Sequence, residues 1–461
     1  MWPVSTSRVL RGGLQAYARA GELRAARQLL LREGSSRAAG KPKLVILGTG
    51  WGGFRVAREI NKDKYAVTVV SPRNHFLFTP LLASTTVGTL EFRCIQEPIR
   101  TIKGVHYLQA RCIGVDFDSK TVRSEDFYKG TKHDLDYDYL VIATGARNNT
   151  FGVPGVHQDN NVFFLKQLGD ARNIRNRLLE CFERAASPFI SEGERSRLLS
   201  FVVVGGGPTS IEYAAELHDF LAADVKRWYP DLQDKVTVSL IEASDHIMGT
   251  FDDKLVSYTT RLLENRKVHV HLKTSVKLVE RHSCTLADGQ KLPFGLMVWS
   301  TGLAPTEIVE QMSGLQKDRG RIVVDDRLRV PGVDGVFAMG DAAVEPARPL
   351  GPLAQVADQQ GKYLAKWFSK TDPLAAEIPP FHRNVLSFDL PVLDRARLQC
   401  AASRASPLRN LTDFPAFSLC LRPRDRCNHL WLSLLSSIAN KILIPMHWFK
   451  AWAFGRDISR F

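Results

Sequence analysis

Two glycine-rich turns, each between a short apolar run and a helix-like stretch, constrain this chain more than any other feature. The first is Gly48-Thr49-Gly50-Trp51-Gly52-Gly53, after KLVILG (43–48) and before RVAREI. The second is Gly205-Gly206-Gly207-Pro208-Thr209-Ser210, after FVVV. The helix it opens is read with Ile211, Ala214, Ala215, Leu217 and Leu221 facing inward. A strand-like run follows each turn, YAVTVVS (65–71) and VTVSLIEA (236–243). Each copy then carries, at matching distance, an apolar run ending in Thr-Gly: Thr144-Gly145 and Thr301-Gly302. Short apolar runs bounded by glycine mark parallel strands buried on both faces. A strand–turn–helix–strand unit therefore occurs twice. A further run, GVFAMGDAA (335–343), ends at Gly340-Asp341.

Such a turn has a definite chemistry. In GxGxxG, Gly48 permits the tight turn, Gly50 lets backbone approach a pyrophosphate, and Gly53 lets helix and strand pack closely. The helix N-terminus then offers free N–H groups and a partial positive charge to phosphates. The second strand of this copy ends at Ser71, not at Asp or Glu. Ribose recognition there falls to a hydroxyl, to backbone, or to nearby Arg73. The second copy reads GxGxxS, with Gly205, Gly207 and Thr209 in the turn and Ser210 at the close-packed position. Its strand ends at Glu242, which can accept from both hydroxyls of an adenosine ribose and repels a 2′-phosphate, favouring NADH over NADPH. Asp341 can hydrogen-bond a ribityl hydroxyl. The plain alternatives are a solvated acid at Glu242 and a helix N-cap at Asp341. Two nucleotide sites plus this late Asp imply one FAD and one nicotinamide cofactor.

At 461 residues the chain exceeds the roughly 250–300 that one core supports, so two or more domains are expected. The net charge is +14, and residues 1–40 hold seven arginines, no lysine, and only Glu22 and Glu33. This Arg-rich, acid-poor, amphipathic start has the composition of a mitochondrial presequence; a solvated basic helix of the folded protein is the alternative. With its +5 set aside, the rest carries no aromatic-and-basic nucleic-acid motif. The seven cysteines (94, 112, 181, 284, 400, 420 and 427) show no CxxC pair, so neither a zinc site nor a disulfide framework is indicated. No metal is expected. No apolar run is long enough for a transmembrane helix.

The chain resembles the two-dinucleotide-binding-domain flavoproteins. More closely, it is similar to the type II (alternative, non-proton-pumping) NADH:ubiquinone oxidoreductases of mitochondria. The segments that carry the resemblance include VILGTGWGGF, VVSPRNHFLFTPLL (69–82), VVVGGGPTSIEYAAEL (202–217), VFAMGDAA, AQVADQQGKYLAK (354–366) and PMHWFKAWAFGRDISRF (445–461). It implies an α/β fold of two Rossmann-like domains, for FAD and NADH, plus a C-terminal membrane-associating segment. The layout is a presequence over 1–40, an FAD-binding domain over 41–165 and 325–382, an NADH-binding domain over 166–324, and a membrane-anchoring region over 383–461. Thr79-Pro80-Leu81 would pass beside the flavin ring. Glu212 matches an acid placed between nicotinamide and flavin. Gln355 and Gln359, four apart on one helix face, would meet flavin and quinone headgroup. The implied reaction is hydride transfer from NADH to FAD N5, then reduction of ubiquinone. No EF-hand loop appears, so calcium control is not indicated. Contact with lipid would run through ILIPMHWFKAWAF (442–454), whose tryptophans sit beside basic residues; a core helix is the alternative. A homodimer through the C-terminal region is usual in the family. The matrix side of the inner membrane is favoured over the intermembrane space.

One stretch departs from the pattern. No glycine occurs between Gly361 and Gly455. Residues 383–435 lack both strand alternation and helical periodicity, and resemblance resumes near Asn440. The expectation is a foreign or frame-shifted segment at 383–435, with a divergent insertion as the alternative. A catalytically impaired relative is therefore one competing reading. A flavoprotein resembling apoptosis-inducing factor is another. Sulfide:quinone and disulfide reductases need a redox cysteine pair that is missing.

Overall fold

A computed structural model describes residues 40–249, 251–374, 378–383, 438–456 and 458. The presequence expected over 1–40 and the atypical stretch 383–435 lie almost wholly outside the described residues. In chain order, the elements that build the site are β1 (Lys43–Leu47), α1 (Trp51–Glu59), β2 (Ala66–Val70), α2 (Leu82–Thr85), β3 (Val105–Leu108), β4 (Tyr139–Ile142), β5 (Ala146–Asn148), β6 (Val162–Phe164) and α3 (Leu168–Ala186). After these come β7 (Ser200–Val204), α4 (Pro208–Phe220), β8 (Thr237–Ile241), β9 (Val268–His271), β10 (Leu296–Trp299), β11 (Leu303–Pro305), β12 (Val336–Ala338), α5 (Ala354–Lys370) and α6 (Ile438–Phe454).

Two five-stranded parallel sheets result, in the orders β12-β4-β1-β2-β3 and β6-β10-β7-β8-β9. The orders match strand for strand. In each, the strand before the glycine turn lies between the Thr-Gly strand and the strand ending in Ser71 or Glu242. The central strands are rich in apolar residues because both faces are covered: Leu44, Val45, Ile46 and Leu47 are buried, as are Val202 and Val203. Each sheet has a small antiparallel three-stranded companion, 110–136 with the first and 276–293 with the second.

The two copies meet through equivalent segments. β5 follows Thr144-Gly145, β11 follows Thr301-Gly302, and the two pair antiparallel, Ala146 opposite Pro305 and Asn148 opposite Leu303. Sheet membership departs from the expected layout at two points. β6 lies before residue 166 yet forms the edge of the second sheet. Arg321–Val323 lies before 325 yet pairs with Ala343–Val344, just after Asp341. The inward face of α4 also differs from the reading above. Ser210, Tyr213, Ala214, Leu217 and Phe220 are buried, while Ile211, Ala215 and Leu221 are only partly covered.

Helix α5 lies against α1 at a close approach. A Cβ on Gly361 would stand 2.7 Å from the Gly52 carbonyl and 2.9 Å from Arg55 Cβ. Beside this contact Arg55 Nε donates to Asp358 Oδ1 at 2.6 Å. Helix α6 returns to the first half, where Ile444 is fully buried and Asn440 Nδ2 donates to the Gln96 carbonyl at 3.2 Å.

Candidate functional site

In open parallel sheets ligands sit beyond the carboxyl ends of the strands, where the strand order reverses. Both glycine turns stand at that place. Gly48 and Gly205 take φ of +106° and +112°, which residues with a side chain rarely adopt. A Cβ on Gly48 would collide with the Ala143 carbonyl, and one on Gly53 with the Gly48 carbonyl. Gly50 and Gly207, by contrast, face open space. The first would meet only Arg73 Nη2, at 4.0 Å, and the second nothing within 4 Å. Each turn is thus packed from behind and open in front, the shape a pyrophosphate fills. Both helices begin there without a side-chain cap, so their first N–H groups are on offer.

At the first turn, Thr49 Oγ1 lies 3.1 Å from Ser71 Oγ and donates to the Arg73 carbonyl at 2.9 Å. Ser71 Oγ in turn accepts the Arg73 N–H at 3.2 Å. Ser71 is buried and shapes the strand end. The charged group is Arg73. Its Nη1 donates to the neutral Gln167 Oε1 at 2.7 Å, and its Nε is buried without a partner. Burial pushes its pKa down to about 10. A buried guanidinium with an unused N–H beside an open glycine cradle fits an anionic nucleotide such as FAD.

Thr144, Gly145, Gly340 and Asp341 follow β4 and β12 and so gather at the same edge. Thr144 Oγ1 accepts from Thr306 Oγ1 at 3.2 Å across the seam between the halves. The Gly340 N–H donates to Gln360 Oε1 at 2.8 Å, tying the Asp341 turn to α5. Burial raises the Asp341 carboxyl above its usual range, opposed by Lys166 and Arg321. Burial lowers Lys166, opposed by Asp341. Lys166, Gln167, Arg321 and Gln360 were missed by sequence reasoning. Each lies outside the glycine motifs; the charge balance around Asp341 picks out Lys166 and Arg321, and hydrogen bonds to Arg73 and Gly340 pick out Gln167 and Gln360. Thr79 and Pro80 form a single 3-10 turn, with the Trp51 indole N–H donating to Thr79 Oγ1 at 3.0 Å.

At the second turn, Glu242 Oε2 accepts the Gly206 N–H at 2.5 Å, and Oε1 accepts the Ser244 N–H and hydroxyl, each at 2.7 Å. The carboxylate is held across the mouth of the cradle. Ser210, at the third position of the motif, is buried and donates to the Ser300 carbonyl at 3.3 Å, so its hydroxyl is satisfied in the tight site. Thr301 and Gly302 close the opposite side, where a Cβ on Gly302 would press on the Phe151 ring at 2.5 Å. Thr209 is exposed at the start of α4, and Glu212 lies one turn further, half-buried. Gln355 and Gln359 are half-buried in the first turns of α5.

Among the described residues no His, Cys, Asp and Glu cluster could hold a metal. The described cysteines are free thiols, and burial pushes Cys94, Cys112 and Cys181 up to about 11 and Cys284 to about 12. None is poised as a thiolate.

Residues 42–361 match the model of the pyridine nucleotide-disulphide oxidoreductase family. A probable NADH dehydrogenase of Dictyostelium discoideum is 40% identical over 440 residues, covering 94% of both chains. A mitochondrial internal alternative NAD(P)H-ubiquinone oxidoreductase A1 of Solanum tuberosum is 37% identical, covering 91% of this chain and 88% of that one. The structure of NDH2 from Plasmodium falciparum in complex with NADH superposes with a TM-score of 0.79 at 26% identity, over 91% of this chain and all of that one.

Proposed function

The chain belongs to the pyridine nucleotide-disulphide oxidoreductases and, within them, to the alternative (type II) NADH:ubiquinone oxidoreductases of mitochondria, and from that premise we propose that it passes electrons from NADH to ubiquinone through FAD without pumping protons. One observation carries the reading: two equivalent glycine cradles with side chains of opposite charge beside them, Arg73 at the first and Glu242 at the second. FAD supplies, when bound, a ring that takes a hydride at N5 and passes two electrons to the quinone.

The chain's own residues bind and orient. Gly50 and the start of α1 receive the FAD pyrophosphate with Arg73, and Asp341 accepts from the ribityl chain with Lys166 balancing its charge. Gly48 and Gly53 keep that cradle tight, and Ser71, Thr144, Gly145 and Gly340 form its rim. Gly205, Gly207 and Thr209 receive NADH, Glu242 its adenosine ribose, and Thr301-Gly302 its other side. Thr79 and Pro80 line the ring, Glu212 lies between nicotinamide and flavin, and Gln355 and Gln359 hydrogen-bond the quinone carbonyls.

Among the described residues no helix is long and apolar enough to cross a membrane. Peripheral attachment is assigned to α6, where Met446 and Phe449 are exposed beside Lys450. The place assigned is the matrix face of the mitochondrial inner membrane, as a homodimer. Protease protection in mitoplasts and size-exclusion mass measurement test those two points. The activity is tested with purified protein and a short-chain quinone. Quinone-dependent NADH oxidation, about tenfold or more above that with NADPH, is expected. Bound flavin without quinone-dependent turnover would overturn the reading in favour of a catalytically silent relative.

A further inference from the structure

Beyond α6 the chain folds back to the seam between the two nucleotide-binding halves. The Arg456 backbone N–H donates to Asp224 Oδ1 at 2.9 Å, and its Nη1 to Asp224 Oδ2 at 2.6 Å. Asp224, in the π-helical turn Leu221–Val225 that continues α4, is 3% exposed. The Nε of Arg456 donates to Thr89 Oγ1 at 2.9 Å. A hydroxyl that accepts there has its own proton free to give. Thr89 Oγ1 gives it to Glu216 Oε2 at 2.7 Å, and the other Glu216 oxygen accepts from Ser84 Oγ at 2.7 Å. The bonds run one way, guanidinium to hydroxyl to carboxylate.

The hydroxyl and carboxylate members of this chain of bonds adjoin the proposed site. Glu216 lies one turn beyond Glu212 on α4, on the same face. Ser84 and Thr89 follow directly on Thr79-Pro80-Leu81, and α2 packs against α4. The contact therefore sets how the helix bearing Glu212 sits against the segment assigned to the flavin ring.

We propose that Arg456, acting through Thr89 and Glu216, is a positioning residue for hydride transfer: it fixes the spacing of the nicotinamide half against the flavin half. The inference rests on the functional reading above for where the two rings lie. The physical ground is directional. Charge-assisted bonds at both oxygens of Glu216 hold it in one register, and a misplacement of about 1 Å at a reacting centre costs about a hundredfold in rate. The buried stripe of α4 keeps the helix folded without the relay, so its loss loosens placement and not the fold.

Thr89→Val in the full-length holoenzyme removes the middle hydroxyl and leaves the Arg456–Asp224 pair. The expected result is a limiting rate of flavin reduction by NADH about tenfold below wild type in anaerobic stopped flow. FAD content, NADH affinity and reoxidation by a short-chain quinone stay unchanged, and Thr89→Ser restores the rate. Amides of 208–220 and 82–89 exchange hydrogen faster, with the rest of the molecule unaltered. Arg456→Met should slow reduction similarly, and the double variant should be no slower than either single one. Wild-type reduction rate in Thr89→Val, or slowing that comes with lost FAD or lost NADH affinity, overturns the proposal. A wild-type protein whose bound flavin NADH does not reduce overturns the functional reading instead; unchanged exchange at 208–220 in Thr89→Val still refutes the relay on its own.

Discussion

Glu242 has two tasks at the residue scale. It ties the Gly206 N–H and the Ser244 turn together, and its charge faces the place where an adenosine ribose would lie. Glu242→Gln keeps the size of the side chain and one of its two acceptor oxygens, and removes the charge that would repel a 2′-phosphate. The ratio of kcat/KM for NADH over NADPH should fall about tenfold, equivalent to about 1.4 kcal/mol, and steady-state kinetics with the two cofactors measure it. His75 offers a pH test. Burial, and after it the Arg73 guanidinium, push its pKa from 6.5 down to about 4. Between those values the unfolded chain binds a proton that the folded chain refuses, so stability falls as pH falls from about 6.5 to 4. Chemical-denaturant midpoints between pH 7 and pH 5 should drop for wild type and drop less for His75→Gln. Neither Gly48 nor Glu242 needed a structure to be noticed, because each occupies a defined place in a motif. Arg321, Lys166 and Gln360 did, since none holds a defined place in a motif and each meets its partner only in the fold.

At the scale of the element, the strands were readable because burial on both faces demands unbroken apolar runs. All seven runs singled out in the sequence contain strands of the two large sheets. The short edge strands β3, β6 and β9 were not singled out; β3 and β9 carry histidines that break the apolar run, and β6 is only three residues long. The α4 face was misassigned by about one position. Its apolar residues cover more than half the circumference, and only packing decides which of them is innermost. The α1–α5 contact depends on small residues. Gly361→Ala puts a methyl against the Gly52 carbonyl and should cost about 1–3 kcal/mol, seen as a lower thermal midpoint with FAD lost at lower temperature. In α6, Ile444→Ala should cost about 2–5 kcal/mol because the side chain is fully buried.

Helix α6 is two-faced at the scale of the molecule. Ile444 enters the core and Trp448 packs beside it, while Met446 and Phe449 point to solvent. The buried side answers to the core-helix alternative posed from the sequence, and the exposed side is where the proposed lipid contact would lie. Met446→Gln combined with Phe449→Ser should lower co-sedimentation with anionic phospholipid vesicles about fivefold or more, while turnover with a water-soluble quinone stays near wild type. The docking of this helix also bears on the atypical stretch 383–435. Asn440 and Arg456 meet specific partners in the first 225 residues, Gln96 and Asp224, and Ile444 is fully buried. The segment after 383–435 thus fits the rest of the fold. An in-frame transcript across 383–435 would rule out the frame shift, and sequencing it decides the matter.

Spacing along the chain was enough to establish two Rossmann-like nucleotide-binding units and FAD and NADH as the nucleotides they serve. Those features depend on neighbours a few residues away, and local neighbours are written into the sequence. How the units face each other was not written there. The seam is built from β5 with β11, from Thr144 with Thr306, and from Arg456, Thr89 and Glu216, partners between 127 and 367 residues apart. No local pattern encodes such a separation. Only the folded chain brings those groups within hydrogen-bond distance, because each of these bonds joins groups that local chain geometry leaves far apart.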